Sequence, residues 1–380
     1  MADVKKTVCQ IIGATLFSQS IPSFDDSDWS AIYKEFVDQA IVAIPASILE
    51  KLPIPKKIDQ QWSTGVMTAS AHAIQLIANQ DELVQLLKQN DIPYAILKGT
   101  AAAVYYPTPW LRTMGDVDFI VRPEDYDRTK ELMLSHGFIP SGDDDNPRHE
   151  AFNLNKTRYE LHRYFSVEPE ESVLDDLIYE QLDHTVEATM LKYSFMMLTD
   201  LLNGIILIQH IKQHLKTGLG LRQMIDWFMY VKDHLNNEQW PAFKVVADKV
   251  GLTTLSKVVT RIGQLYFGLD SDITWCKDAD EGVCADVMDF IFRSGNFGRK
   301  DYENIRGSYV LGKLSKNAFA TLQEAGKHNW KALKKYPWLE PIAWFYQIFR
   351  YMKQGAGTIG KIGQNQKRSK DMDELMKKLT

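Results

Sequence analysis

Cysteine is scarce in this chain. Cys9, Cys276 and Cys284 are scattered, with no Cys-x-x-Cys pair among them. That scarcity argues against a disulfide framework or a thiolate zinc site, and a reducing, cytoplasmic setting is expected. Long apolar runs are missing too. The most apolar stretch, Leu201 to Ile211, is interrupted by Asn203, Gln209 and His210, well short of the ~18 unbroken apolar residues of a spanning helix. Two lysines near the N-terminus precede only a weak apolar run without a small-residue cleavage site, so no signal peptide is read. There is no excess of positive charge either. The 44 Lys and Arg against 49 Asp and Glu leave a net charge of −5 and a pI near 6.0. Bulk nucleic acid is therefore not expected as a partner, though a local basic patch can still hold phosphates. What remains is ordinary globular composition, 45% hydrophobic and 24% charged over 380 residues, a length for two or three packed domains.

Helical spacing dominates up to about residue 90, over Val4–Phe17, Asp28–Ile44 and Gln60–Asn90, with Pro53 and Pro55 as punctuation. Short β-rich runs follow at Tyr94–Leu97, Asp116–Val121, Ala151–Leu154 and Tyr159–Tyr164. Helical patterns at 99–106 and 123–136 lie between them, and a turn-rich loop spans Ser141–Pro147. From about 172 the helical period returns and persists, with Pro169, Pro241 and Pro337 at helix starts. The expected class is α+β. A helical region over 1–90 precedes a minimal mixed-sheet core over 91–170, a helical domain over 171–354 and a basic flexible tail over 355–380, with a short helix after Asp371. The aromatic stretch Trp338 to Lys353 is expected to be a packed helix. Residues 351–380 carry seven Lys or Arg against three Asp or Glu, a solvated tail rather than a membrane contact.

The chemistry concentrates between Leu97 and His162. Asp116 and Asp118 are two apart on a strand, so their carboxylates share a face while Val117, Phe119 and Val121 turn to the core. Adjacent carboxylates repel when ionised, and a divalent cation relieves that repulsion; hard oxygen ligands suit Mg²⁺ or Mn²⁺. On this reasoning Asp118→Asn leaves the metal-free protein equally or more stable. Glu160 supplies a third carboxylate if its strand pairs beside Asp116–Val121, with His162 one step further along to orient a carboxylate, bind substrate or serve structure. The strand end at Lys98-Gly99, followed by Thr100 and small residues, offers backbone N–H groups to phosphate oxygens. Lys98 and Arg112 add positive charge there.

Together these residues resemble the polymerase-β-like nucleotidyltransferase superfamily, and within it an uncharacterised bacterial family. The ordered pieces are Leu97-Lys98-Gly99, Tyr106-Pro107-Thr108-Pro109-Trp110-Leu111-Arg112, Asp116-Val117-Asp118 and Glu160-Leu161-His162. Better-known superfamily members carry Gly-Ser where this chain has Lys98-Gly99-Thr100. The resemblance extends to His210-Ile-Lys-Gln-His214 and to Arg222 and Asp226, which in the family belong to helices beside the cleft. His210 and His214 have metal-ligand spacing, but Ile211 replaces the Glu of a His-Glu-x-x-His motif, and buried polar packing also accounts for them. Arg222 and Asp226, four apart, are expected to pair on their own helix.

The resemblance implies transfer of a nucleoside monophosphate from a nucleoside triphosphate to an acceptor hydroxyl, with release of pyrophosphate. Asp116, Asp118 and Glu160 would be the metal-binding catalytic residues, with Lys98, Gly99, Thr100 and Arg112 on the triphosphate. His162, His210, His214, Arg222 and Asp226 would lie behind them. A small-molecule acceptor is favoured. A nucleotide-binding or regulatory protein without turnover, and a toxin-like transferase acting on RNA or protein, stay open as alternatives.

Overall fold

The computed structural model describes residues 2–24, 27–141, 148–166, 172–215 and 218–300, and within the C-terminal stretch 319, 322–323, 326–327, 330, 333, 336–354 and 374–379. Residues 142–147 of the expected loop, Pro169 and the tail over 355–370 lie outside the described residues.

The layout is α+β, around one mixed sheet. Its strands are β1 (Tyr94–Leu97), β2 (Asp116–Val121), β3 (Ile139–Pro140), β4 (His149–Leu154), β5 (Thr157–His162), β6 (Val186–Met190) and β7 (Tyr193–Met197), in the order β3-β4-β5-β2-β1-β7-β6. β2 runs antiparallel to β1 and parallel to β5. Its Val117, Phe119, Ile120 and Val121 are sealed on both faces of the sheet, the near-continuous apolar pattern of a central strand. β4 and β5 form a hairpin whose turn residues, Asn155 and Lys156, both take positive φ, as a two-residue turn matched to strand twist requires.

The helical period read from residue 172 onward holds for α6 (Ser172–Gln181) and then breaks. β6 and β7 form a second hairpin, and β7 pairs parallel with β1 through Ile96 and Met197. This hairpin gave little signal. Its turn at Leu191-Lys192 has no Gly, Asn or Asp, and Leu191 takes φ 58° in the left-handed region nonetheless. The outer strand β6 is largely exposed, so it lacks a sharp apolar alternation.

The N-terminal helices α1 (Ala2–Leu16), α2 (Trp29–Asp38) and α3 (Lys56–Gln89) follow the expected period. Asp28 caps α2, accepting from the Ala31 amide at 3.0 Å. α4 (Gly99–Ala103) is shorter than the stretch expected, and α5 (Tyr126–Ser135) bridges β2 to β3. Beyond the sheet come α7 (Asp200–Leu215), α8 (Leu221–His234), α9 (Trp240–Lys249), α10 (Thr253–Ile262), α11 (Glu281–Ser294) and α12 (Ala343–Gln354). Pro241 begins α9 as read. α7 and α8 approach closely because Gly204 lies under the Tyr230 ring, where a Cβ would come within 2.3 Å of a ring carbon. The N-terminal helices also pack on these later ones. The Gln39 side chain donates to the Ile291 carbonyl at 3.1 Å and accepts from the Leu221 amide at 2.9 Å.

Pro337 opens a short 3₁₀ turn before α12, also as read. The aromatic helix expected there forms from Ala343 and is packed in part, with Trp344 against Phe319 and Tyr346 stacked on Trp330, whereas Trp338 is 75% exposed, Phe345 62% and Phe349 60%. Among the described residues no helix is long and apolar enough to cross a membrane.

Candidate active site

Strand register brings the acidic residues together. Asp118 of β2 lies opposite Glu160 of β5, and two residues on, Ile120 lies opposite His162. On the next strand out, His149 of β4 lies opposite His162. Directly paired residues share a sheet face, so Asp116, Asp118, Glu160, His162 and His149 project to one side. They line a cavity of about 390 Å³, closed on the other side by His210 and His214 of α7 and Arg222 of α8. Lys98, Gly99 and Arg112 border the same space. Gly99 sits tightly at its edge, where a Cβ would meet the Asp116 carbonyl at 3.3 Å.

The carboxylates do not share charge equally. Lys98 donates to Asp118 Oδ1 at 2.7 Å, and His162 Nε2 lies 2.8 Å from the same oxygen. Burial works to raise the Asp118 pKa, but the Lys98 ammonium and then the contact with His162 outweigh it and hold Asp118 well below the usual carboxylate range. Asp116 is pushed up by burial and then by the Asp118 charge. Burial, reinforced by Asp118 and Asp116, lifts Glu160 to about 8. A proton is therefore held at neutral pH where three anions would otherwise crowd together. Lys98 reaches Asp118 from a strained backbone, φ 47° and ψ −125°, a conformation sustained only where surrounding structure imposes it.

Two of the cavity arginines, Arg112 and Arg222, differ in their partners. Arg112 donates through Nε and Nη2 to the two oxygens of Asp226, each at 2.7 Å, and Tyr106 donates to the same carboxylate at 2.7 Å. Burial opposes the Arg112 charge, but Asp226 more than restores it and the pKa rises. Among the described residues Arg222 has no such carboxylate. Its Nη1 donates to the Thr113 carbonyl at 3.2 Å, its Nε has no partner, and its guanidinium lies 5.3 Å from the Phe297 ring centre. Burial, and then repulsion from Arg112, lower its pKa. Nearby, His210 Nε2 and His214 Nε2 share one proton across 2.8 Å. Burial keeps both neutral, depressing His210 strongly and taking His214 to about 3.

Residues 25–268, well over half of the chain, match the family described as uncharacterised nucleotidyltransferase. The chain belongs to that family. The crystal structure of an antigenic nucleotidyltransferase-like protein from Paracoccidioides brasiliensis is similar to 52% of this chain and 94% of that one, at 18% identity and a TM-score of 0.35. No curated protein matches the chain.

In this nucleotidyltransferase-family chain most of the residues singled out from the sequence border one cavity, but several do so in roles other than those expected. Thr100 faces away, its hydroxyl donating to Gln80 Oε1 of α3 at 2.6 Å. Arg112 is engaged by Asp226, so Asp226 does not pair with Arg222 along α8 as its spacing suggested. Arg222 is left as a cavity guanidinium without a carboxylate partner among the described residues. His149 and Phe297 were missed. β4 begins two residues earlier than its β-rich run, because the Pro147-Arg148-His149 segment reads as loop. Phe297 belongs to a kink after α11, with φ 55° and ψ 28°, that no local signal announces.

Proposed function

We propose that this chain is a divalent-metal-dependent nucleotidyltransferase, moving a nucleoside monophosphate from a nucleoside triphosphate to a hydroxyl acceptor with release of pyrophosphate. One observation carries this reading: Asp116, Asp118 and Glu160 line a single cavity facing Arg222, a buried guanidinium without a carboxylate partner. The donor set fits Mg²⁺ or Mn²⁺, since carboxylate oxygens on adjoining strands suit hard cations and the raised pKa values of Asp116 and Glu160 mark carboxylates that burial and one another's charge disfavour as anions despite the cations nearby. When bound, such an ion neutralises phosphate charge and acidifies the acceptor hydroxyl.

The residues of the chain supply the rest. Arg222 and Lys98 offer donors to the phosphate oxygens. Gly99, lacking a side chain, lets a phosphate approach the backbone. The acceptor oxygen attacks the α-phosphorus, the bond from that phosphorus to the pyrophosphate oxygen breaks, and the hydroxyl proton passes to the deprotonated form of Glu160 as the base. A small hydroxyl compound is the favoured acceptor, because a net charge of −5 gives no general attraction for polyanions.

The test is thermal unfolding with and without Mg²⁺ and triphosphate, paired with pyrophosphate release across a panel of hydroxyl acceptors. Both ligands together should raise the unfolding temperature of the wild type and not that of Asp118→Asn. A shift that survives unchanged in the variant would remove Asp118 from the site. A shift lost in the variant, with no pyrophosphate from any acceptor, would favour a binding protein over an enzyme.

A further inference from the structure

The cavity holds a second set of donors, different in kind from the aspartates. Glu160 Oε2 lies 3.5 Å from His149 Nε2 and 3.8 Å from His162 Nε2. The three donor atoms all fall within 4.8 Å of one another. Metal–nitrogen bonds of ~2.1 Å at tetrahedral or octahedral angles put neighbouring ligand atoms about 3.0–3.5 Å apart. The two separations from Glu160 are therefore close to those of ligands around one ion.

Outer contacts aim these atoms inward. In the metal-free chain the single proton of the neutral His162 ring lies on Nε2, 2.8 Å from the ionised Asp118, and an ion taken by Nε2 would move that proton to Nδ1, 3.3 Å from the Tyr164 carbonyl that can accept it. Arg158 Nε holds the other oxygen of Glu160, Oε1, at 3.1 Å, which leaves Oε2 facing the two imidazoles. Strand register sets the rings side by side, their centres 4.9 Å apart.

We propose that His149, Glu160 and His162 form a second cation position beside the Asp116–Asp118 pair, one that takes a borderline transition-metal ion such as Zn²⁺ or Mn²⁺ in preference to Mg²⁺. Imidazole nitrogen favours such ions, whereas Mg²⁺ demands oxygen and gives up its water reluctantly. The proposal rests on the transfer reading only in sharing Glu160 with it.

Mn²⁺ is the probe, because its bound state is visible by pulsed electron paramagnetic resonance. The full chain, stripped of metal, is titrated with Mn²⁺. Directly bound imidazole should give nitrogen modulation that survives excess Mg²⁺, persists in Asp116→Asn and is diminished in His149→Gln. The latter should also lose affinity for Mn²⁺ by ~10-fold or more. A wild-type spectrum without nitrogen modulation overturns the proposal on its own, whether or not the variant folds. So does a modulation that His149→Gln leaves unchanged. Failure of the transfer reading looks different: Mg²⁺ with triphosphate would leave the wild-type unfolding temperature unmoved whatever the Mn²⁺ spectrum shows.

Discussion

Arg112 and Arg222 are the same residue type in one cavity, yet their substitution should have opposite consequences. Arg112→Met strands the buried Asp226 carboxylate with only Tyr106 as a donor, a loss of about 3–5 kcal/mol in denaturant titration. Arg222→Met gives up one carbonyl contact and removes a poorly partnered buried charge. Metal-free stability should change by less than about 1 kcal/mol, while the thermal shift from Mg²⁺ and triphosphate disappears. Asp118 behaves otherwise than two repelling aspartates would suggest. Lys98 already compensates it, so Asp118→Asn leaves a half-buried ammonium without its ion pair, and the metal-free chain should lose about 2 kcal/mol. Glu160 gives the pH dependence. Its folded pKa of about 8 stands above the ordinary glutamate value of 4.5, so the folded state binds the extra proton and stability falls as pH rises between those values. Below pH 6.5 the depressed His162, His210 and His214 act in the opposite sense, and above it His234, raised by its contact with Asp200, adds to the fall in wild type and variant alike, so pH 6.5 to 8 is the window in which a comparison with a Glu160 variant isolates this carboxyl. There the metal-free wild type should lose up to about 1.4 kcal/mol per pH unit relative to Glu160→Gln. Saturating divalent ion should remove that difference.

At the scale of elements, what could be read from the sequence was whatever depends on neighbours along the chain. The period-2 run of β2 put Asp116 and Asp118 on one face, and the same alternation aligned Glu160 with His162 on β5. That the two strands lie side by side is a matter of topology, set by the α5 crossover and the β4–β5 hairpin rather than by any local pattern. Arg112 shows the limit most plainly. Its partner Asp226 is 114 residues away on α8, and nothing near either residue announces the pairing. The β6–β7 hairpin was illegible for a different reason, since its turn uses residues that turns seldom use. Leu191 is 46% exposed and takes a left-handed conformation, so its side chain adds strain with little burial to offset it. Leu191→Gly should therefore raise the denaturant midpoint, by up to about 1 kcal/mol of stability.

In the whole molecule, β1 is an interior strand, with β2 on one side and β7 on the other. Its four residues, Tyr94-Ala-Ile-Leu97, are all buried. The two neighbours are far from equivalent in time. β2 follows β1 closely along the chain, but the pairing of Ile96 with Met197 must wait for residues made about a hundred positions later. At ~5–20 residues per second of synthesis, that interval is roughly 5–20 s. During it the nascent chain carries a fully apolar strand with one open edge, the kind of surface that recruits other chains. A fragment ending at residue 170 makes that condition permanent, and it should aggregate where one extended to residue 300 stays dispersed, as light scattering at matched concentration would register. The hairpin hardest to see in the sequence is thus the one that ends the period in which the emerging chain most needs a chaperone.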